Sequence, residues 1–460
     1  MGSELRRYHA PAAWVGGAWA KHAVLTVGAD GRWTDVVCDA PAPLQREAQR
    51  LKGPILPGLV DAHSHAFQRA IAGLTERCAG DEDDFWRWRD RMYSVANRIT
   101  PDQLEAVAAF LYAELLRAGY TQVCEFHYLH NDMGGRPYAD AAETALALVR
   151  AARRAGIGLT LLPALYMRGG FAAKDLREDQ RRFASTPQSV LRIADAAARQ
   201  SGDDGCIAVG VAVHSLRAVE ESALRELVGA SGAAMPIHIH VAEQQQEVDD
   251  CIVRHGKRPI EWLLDNVSID ERWNLVHGTR STPGELEGVR SKRASIVLCP
   301  SSEANLGDGI FDLPGWMGQS GSWSVGSDSH VTRSWQEELR LLEYSQRLGL
   351  RQRNVAARSA LCESSAAALF GGALAGGTAA AGYPLGGLAR GQRADFCVVD
   401  MESSSLAGMP SDQLLDAMMF SSPQASLREV YVAGQRQLAE DGDPALALGM
   451  RQAMRELWGS

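Results

Sequence analysis

Two histidines one residue apart, His63 and His65, close a short apolar run at 59–62. On an extended segment alternate side chains point the same way, so both imidazoles can reach one ion. Alone, such a pair is weak evidence, since histidines fall at this spacing by chance. Three further groups follow at the downstream ends of other apolar runs. His238-Ile239-His240-Val241-Ala242-Glu243 offers a third imidazole and a carboxylate three residues on; His277 ends another run, and Asp328 lies within Gly326-Ser327-Asp328-Ser329-His330. Imidazoles and carboxylates arriving in this order point to a divalent metal that activates water for hydrolysis. His238 faces away from His240 on a strand and is expected to be a core or supporting residue.

These groups must be held by a scaffold that brings distant strand ends to one place. Eight candidate strands are read at 59–62, 121–126, 158–165, 207–213, 236–241, 273–276, 295–298 and 323–326. Helical patterns lie between them, such as 101–118 with apolar Leu104, Val107, Leu111 and Leu115, and 141–155. Short apolar strands alternating with helices imply an α/β fold with a parallel sheet, and eight is the number of a (β/α)8 TIM-like barrel, whose active sites sit at the C-terminal ends of the strands. Strand-like segments with Gly turns near both ends of the chain are expected to pair into a small β-sandwich domain. The expected division is therefore 1–56 with 385–440 for the small domain, 57–384 for the barrel and 441–460 for a C-terminal helix. The stretch 371–382 is rich in Ala and Gly.

The 460 residues and 46% hydrophobic content suffice for a barrel and a companion domain. With 47 basic against 56 acidic side chains the formal charge is −9, which gives no broad positive field for nucleic acid or an anionic membrane. A small anionic substrate stays compatible, because a few arginines can read carboxylates locally. The eight cysteines, Cys78 among them, show no paired metal-binding spacing and read as free thiols of a reducing compartment. Arg6 and Arg7 precede no continuous apolar segment, and no run of membrane-spanning length occurs. The expected location is the cytoplasm.

The run Pro57-Gly58-Leu59-Val60-Asp61-Ala62-His63-Ser64-His65, the pair His240 and Glu243, then His277 and Asp328 resemble the amidohydrolase superfamily, in particular its deaminase and chlorohydrolase branch. The segment from Gly387 to Asp395 resembles that family's return into the small domain. The resemblance implies one divalent metal held by His63, His65, His240 and Asp328, with zinc expected and iron or manganese suited to the same donors. Two-metal relatives carry a carboxylated lysine after strand four; Val213-His214-Ser215 stands there in this chain, which implies a mononuclear site. Catalytic roles are implied for Asp328 and His277 in accepting the proton of water and stabilising the tetrahedral centre, and for Glu243 in protonating the departing nitrogen. A homodimer is implied as well.

Within that branch the stretches His63 to Ala70, Phe85 to Arg89, Glu125 to Tyr128, His214 to Val219, His238 to Gln245 and Ser302 to Phe311 are similar to the formimidoylglutamate deiminases. That similarity implies a linear amidine with two carboxylates as substrate, converted to a formyl product and ammonia in histidine degradation. Arg89 and Arg217 are the candidate carboxylate-binding residues, with Gln68, Tyr128 and His214 as neutral donors. Read without the resemblance, Arg89 is more often a solvated helix charge, Trp86 and Trp88 are loop packing, Glu303 supports the rim, and His127 and His130 point either way. The alternatives are a deaminase or chlorohydrolase of a heterocycle such as guanine or a triazine, and a non-catalytic scaffold, which would lack these ligands.

Overall fold

A computed structural model describes residues 5–76, 85–202, 205–421, 427–437 and 443–459. Cys78 and the side chains of Phe85, Trp86 and Arg87 lie outside the described residues. The eight barrel strands are Leu59–Ser64, Tyr120–His127, Gly158–Leu165, Val211–Val213 with its forerunner Ile207–Val209, Ile237–Val241, Trp273–His277, Ser295–Leu298 and Ser322–Val325. They pair in parallel in sequence order. All eight expected strands are present, and the expected fold class is observed.

Strand eight packs beside strand one and pairs with it at the tip, through a parallel bridge between Ser64 and Asp328. His65 N–H donates to the Asp328 carbonyl at 3.2 Å, and Asp328 N–H donates to the His63 carbonyl at 2.9 Å. Asp61 strengthens the same junction by accepting the Ser327 N–H at 2.8 Å and the Ser327 hydroxyl at 2.6 Å. Burial nevertheless raises the Asp61 carboxyl to about 7 against those bonds. The Ala/Gly-rich stretch lies in a helix, Ser365–Ala381, whose glycines let it lie directly on this seam. A Cβ on Gly376 would stand 1.9 Å from the Trp323 carbonyl oxygen, and one on Gly377 2.9 Å from Val60 Cβ.

Helix Pro101–Arg117 starts at a capping box in which Thr100 and Gln103 satisfy each other's backbone N–H groups. It buries Leu104, Val107, Leu111 and Leu115, the stripe its 3.6-residue period predicts. The C-terminal helix Pro444–Trp458 packs on it, and Trp458 Nε1 donates to the Ala70 carbonyl at 3.0 Å.

The chain ends form the small β domain, in which strands Arg6–Val15, Ala18–Val27, Trp33–Val37, Ile55–Pro57, Phe396–Val399, Leu427–Val432 and Gln435–Arg436 hydrogen-bond along one path. Its core holds Tyr8, Leu25, Trp33, Ile55, Phe396 and Tyr431. The first hairpin turns at Gly16-Gly17, both in the left-handed region that such a tight turn requires. Its strands are longer than the apolar stretches at 13–15 and 23–27 suggest, because Arg6, Arg7, Lys21 and His22 occupy exposed or half-exposed positions of the same ladder. Among the described residues all seven cysteines are free, and no helix is long and apolar enough to cross a membrane.

Two predictions test this frame. A methyl group on Gly326 would stand 2.6 Å from His63 Cβ and N and 2.8 Å from its carbonyl oxygen, so Gly326→Ala is expected to part the seam, lowering both melting temperature and metal content. Gly371→Ala, in open space on the covering helix, is expected to be neutral or stabilising by up to about 1 kcal/mol. The second concerns His238, which points away from His240; its Nε2 donates to the Ala380 carbonyl at 2.9 Å, while burial holds its pKa down to about 4. The unfolded chain takes up this proton near 6.5 and the folded chain does not, so stability is lost as pH falls from 6.5 towards 4. His238→Gln is expected to remove roughly 2 kcal/mol of the stability difference between pH 7 and pH 5, measured by chemical unfolding at both pH values.

Candidate metal centre and active site

At the C-terminal mouth of the barrel the Nε2 atoms of His63, His65 and His240 form a triangle with edges of 3.1, 3.3 and 3.0 Å. Asp328 Oδ1 lies 3.4 Å from both His63 Nε2 and His65 Nε2. All four side chains are buried. Two Nδ1 atoms reach backbone carbonyls, His65 to Phe126 at 2.9 Å and His240 to His214 at 2.8 Å. A carbonyl only accepts, so both rings carry their proton on Nδ1 and turn a bare Nε2 lone pair inward. Lone pairs held this close repel unless a cation lies between them. Four donors around an ion at about 2.0–2.1 Å stand roughly 3.3–3.4 Å apart; the three imidazole nitrogens and the two Asp328 contacts at 3.4 Å come close to that spacing, and all four ligand atoms lie within 4.8 Å of one another.

The electrostatics agree with that fit. Burial drives the His63 imidazole down to about 3, lowers His65, and puts His240 well below its ordinary value, so all three are in the neutral, ligating form. Burial acts to raise the Asp328 carboxyl, but the hydrogen bond with His63 and the neighbouring imidazoles outweigh it and hold it below the usual carboxylate range.

The strand ends that carry these groups are backbone-strained. Ala242, His277 and Asp328 have φ of +51°, +70° and +48°, a region that costs non-glycine residues about 1–3 kcal/mol each. Turning the chain there aims His277 and Asp328 into the mouth instead of along the strand. The His277 ring stacks on His240 with centroids 5.6 Å apart. Its Nδ1 meets Glu303 Oε1 at 3.3 Å, and its Nε2 lies 3.8 Å from Glu243 Oε1. Burial works against a charge on His277, yet Glu243, Glu303 and Asp328 prevail and raise its pKa to about 10.

One cavity joins these groups to the remaining candidates. It is lined by His65, His240, Glu243, His277 and Asp328 on the metal side and by Gln68, Arg89, Tyr128, His214 and Arg217 around them. Gln68 Nε2 donates to the Tyr128 hydroxyl at 3.1 Å, and the Arg89 guanidinium lies 5.5 Å from the Tyr93 ring centre. Trp88, assigned above to loop packing, also lines the cavity, whereas His127 and His130 bond to Thr144 and the Ala164 carbonyl away from it.

Several wall residues were not picked out from sequence. Tyr166 and Arg168 follow directly on strand three, a position that marks the mouth and gave a usable signal. Tyr93 gave none. The buried Gln180 donates to the hydroxyls of both Tyr93 and Tyr166 at 3.0 Å, fixing two phenols on one wall. Glu303, read as rim support, instead accepts the Cys299 N–H at 2.9 Å and orients His277. Glu125 holds the loop after the histidine pair through Ser64 Oγ at 2.6 Å and Ala66 N–H at 2.6 Å; burial raises its carboxyl to about 8 despite them. Glu303→Gln is expected to leave metal binding intact and to lower kcat at least tenfold with little change in KM, measured by steady-state kinetics beside metal analysis.

The amidohydrolase family model matches residues 55–436. The formimidoylglutamate deiminase of Pseudomonas aeruginosa is 44% identical over 424 residues, covering 92% of each chain. Among solved structures, an amidohydrolase from Brucella melitensis superposes with a TM-score of 0.91 at 39% identity, over 98% of this chain and 99% of that one. An adenosine deaminase from Xanthomonas campestris with bound zinc shares the fold at a TM-score of 0.78 and 20% identity, over 99% and 98% of the two chains. Family match, near full-length identity and the inward-facing quartet agree: the chain belongs to the amidohydrolase family.

Proposed function

We propose that this chain hydrolyses N-formimino-L-glutamate to N-formyl-L-glutamate and ammonia, as a formimidoylglutamate deiminase. The observation that carries the reading is the cavity in which Arg89 and Arg217 share one wall system with the metal quartet and with His277 and Glu243. An amidine carbon to attack and two carboxylates to hold call for that combination, and 44% identity to a deiminase of that name supports it. Aromatic faces are present in this cavity and would suit a heterocycle too, but a heterocycle pocket would need few cations, whereas Arg89, Arg168 and Arg217 all line this one.

His63, His65, His240 and Asp328 would hold one divalent ion, zinc by the donor set and by the zinc seen in a relative of the same fold. The ion supplies Lewis acidity that brings the pKa of water near neutrality. Asp328, kept ionised by its neighbours, accepts the proton released by the attacking water. His277, charged and fixed by Glu303, faces the developing tetrahedral centre as a donor. Glu243 relays the protons of the attacking water, the first by way of Asp328, to the departing nitrogen, so that ammonia leaves and not amide ion. Arg217 and Arg89 bind the carboxylates and set the amidine against these groups, with Gln68, Tyr128 and His214 as neutral partners. A mononuclear centre follows from the absence of lysine at Val213-His214-Ser215. A role in histidine degradation and a cytoplasmic homodimer belong to the same reading, through the family resemblance.

Ammonia release by metal-reconstituted protein tests this. Formiminoglutamate is expected to be turned over and guanine and cytosine not, with one ion bound per chain. Arg89→Met and Arg217→Met are each expected to lower kcat/KM for formiminoglutamate at least tenfold, in line with the roughly 1.5–3 kcal/mol of a hydrogen bond to a charged group, with metal content unchanged. Full activity in both variants would defeat the carboxylate assignment.

A further inference from the structure

Behind the active-site arginine lies a carboxylate that the mechanism above does not use. Glu247, in the first turn of helix Gln245–His255, has a wholly buried side chain. Its Oε2 accepts the Glu243 N–H at 3.1 Å and lies 3.6 Å from Arg217 Nη1. Arg217 Nη2 in turn lies 3.8 Å from Glu243 Oε2. These contacts close a ring from the Glu243 backbone through the Glu247 carboxylate and the Arg217 guanidinium to the Glu243 carboxylate.

We propose that Glu247 is a positioning residue that holds Arg217 between two carboxylates, so that Arg217 binds the substrate carboxylate without closing on Glu243. The inference rests on the functional reading given above for Arg217 and Glu243. Both separations to Arg217 exceed hydrogen-bond length, so the guanidinium is shared and not captured by either acid. With Glu247 neutral, one competitor is gone and Arg217 pairs tightly with Glu243. That pairing withdraws the arginine from substrate and ties up the Glu243 carboxylate that faces the leaving nitrogen. Burial itself raises the pKa of Glu247, opposed first by Arg217. An acceptor for the Glu243 N–H alone would not require a charge, since the amide oxygen of glutamine accepts equally well.

The experiment is a double-variant cycle on the metal-loaded enzyme with formiminoglutamate, using wild type, Glu247→Gln, Arg217→Met and the pair. Glu247→Gln is expected to keep its melting temperature within a few degrees and to lose at least tenfold in kcat. In the Arg217→Met background the same change is expected to alter kcat/KM by less than twofold, because the ring is already open. Wild-type kinetics in Glu247→Gln, or a loss that multiplies in full onto that of Arg217→Met, overturns the proposal. Where Arg217→Met is too slow to assay, the cycle is read in melting temperature. Glu247→Gln then restores part of the stability that Arg217→Met loses by stranding a buried carboxylate, and further loss overturns the proposal. Wild type that releases no ammonia from formiminoglutamate defeats the substrate reading and leaves the ring to the melting cycle.

Discussion

Three imidazole nitrogens within 3.3 Å of one another, with a carboxylate oxygen 3.4 Å from two of them, all buried, form an arrangement that only a cation makes favourable. Every group around it answers that constraint. The carbonyls of Phe126 and His214 fix the tautomers of His65 and His240, and burial keeps the rings neutral. The left-handed residues Ala242, His277 and Asp328 turn the chain where an ordinary strand would run on. A barrel is suited to this because its strands are over-determined by neighbours on both sides, so local strain at their tips is offset by packing elsewhere.

Outside the quartet, charges alternate in sign through the contacts of Glu303, His277, Glu243, Arg217 and Glu247. Buried charges persist only when each has a partner of opposite sign, and here the partners are shared. The same sharing is what the proposed chemistry needs. A proton carrier locked into one ion pair would be inert, whereas one placed between His277 and Arg217 responds to what enters the cavity.

Much of the fold was legible because strand ends announce themselves. His63 and His65 alternate on one strand, His240 and Glu243 follow another, and His277 and Asp328 each close a short apolar run, so their convergence could be expected once the runs numbered eight. His238 was legible for the same reason, by parity. Glu247 and Glu303 were not, since each lies on a helix and looks like any other helical glutamate until the helix docks. Glu247 shares its helix with Asp249 and Asp250, which face solvent. Tyr93 comes from a helix in the loop after strand one, where no period ties it to the mouth. The Ala/Gly-rich stretch carried no apolar stripe to orient it; its small side chains gained meaning only from the closeness of Trp323 and Val60.

The junction of strands eight and one has a temporal consequence. Two ligands, His63 and His65, are synthesised early, His240 follows, and the fourth, Asp328, arrives some 260 residues after the first pair, just past the strand whose docking closes the cylinder. A nascent chain therefore cannot own a complete cation site until its last strand has emerged and docked. The ion, once taken up, acts as a latch on a closure that backbone bonds secure only at the tip, so metallation and completion of the barrel become one commitment in biogenesis.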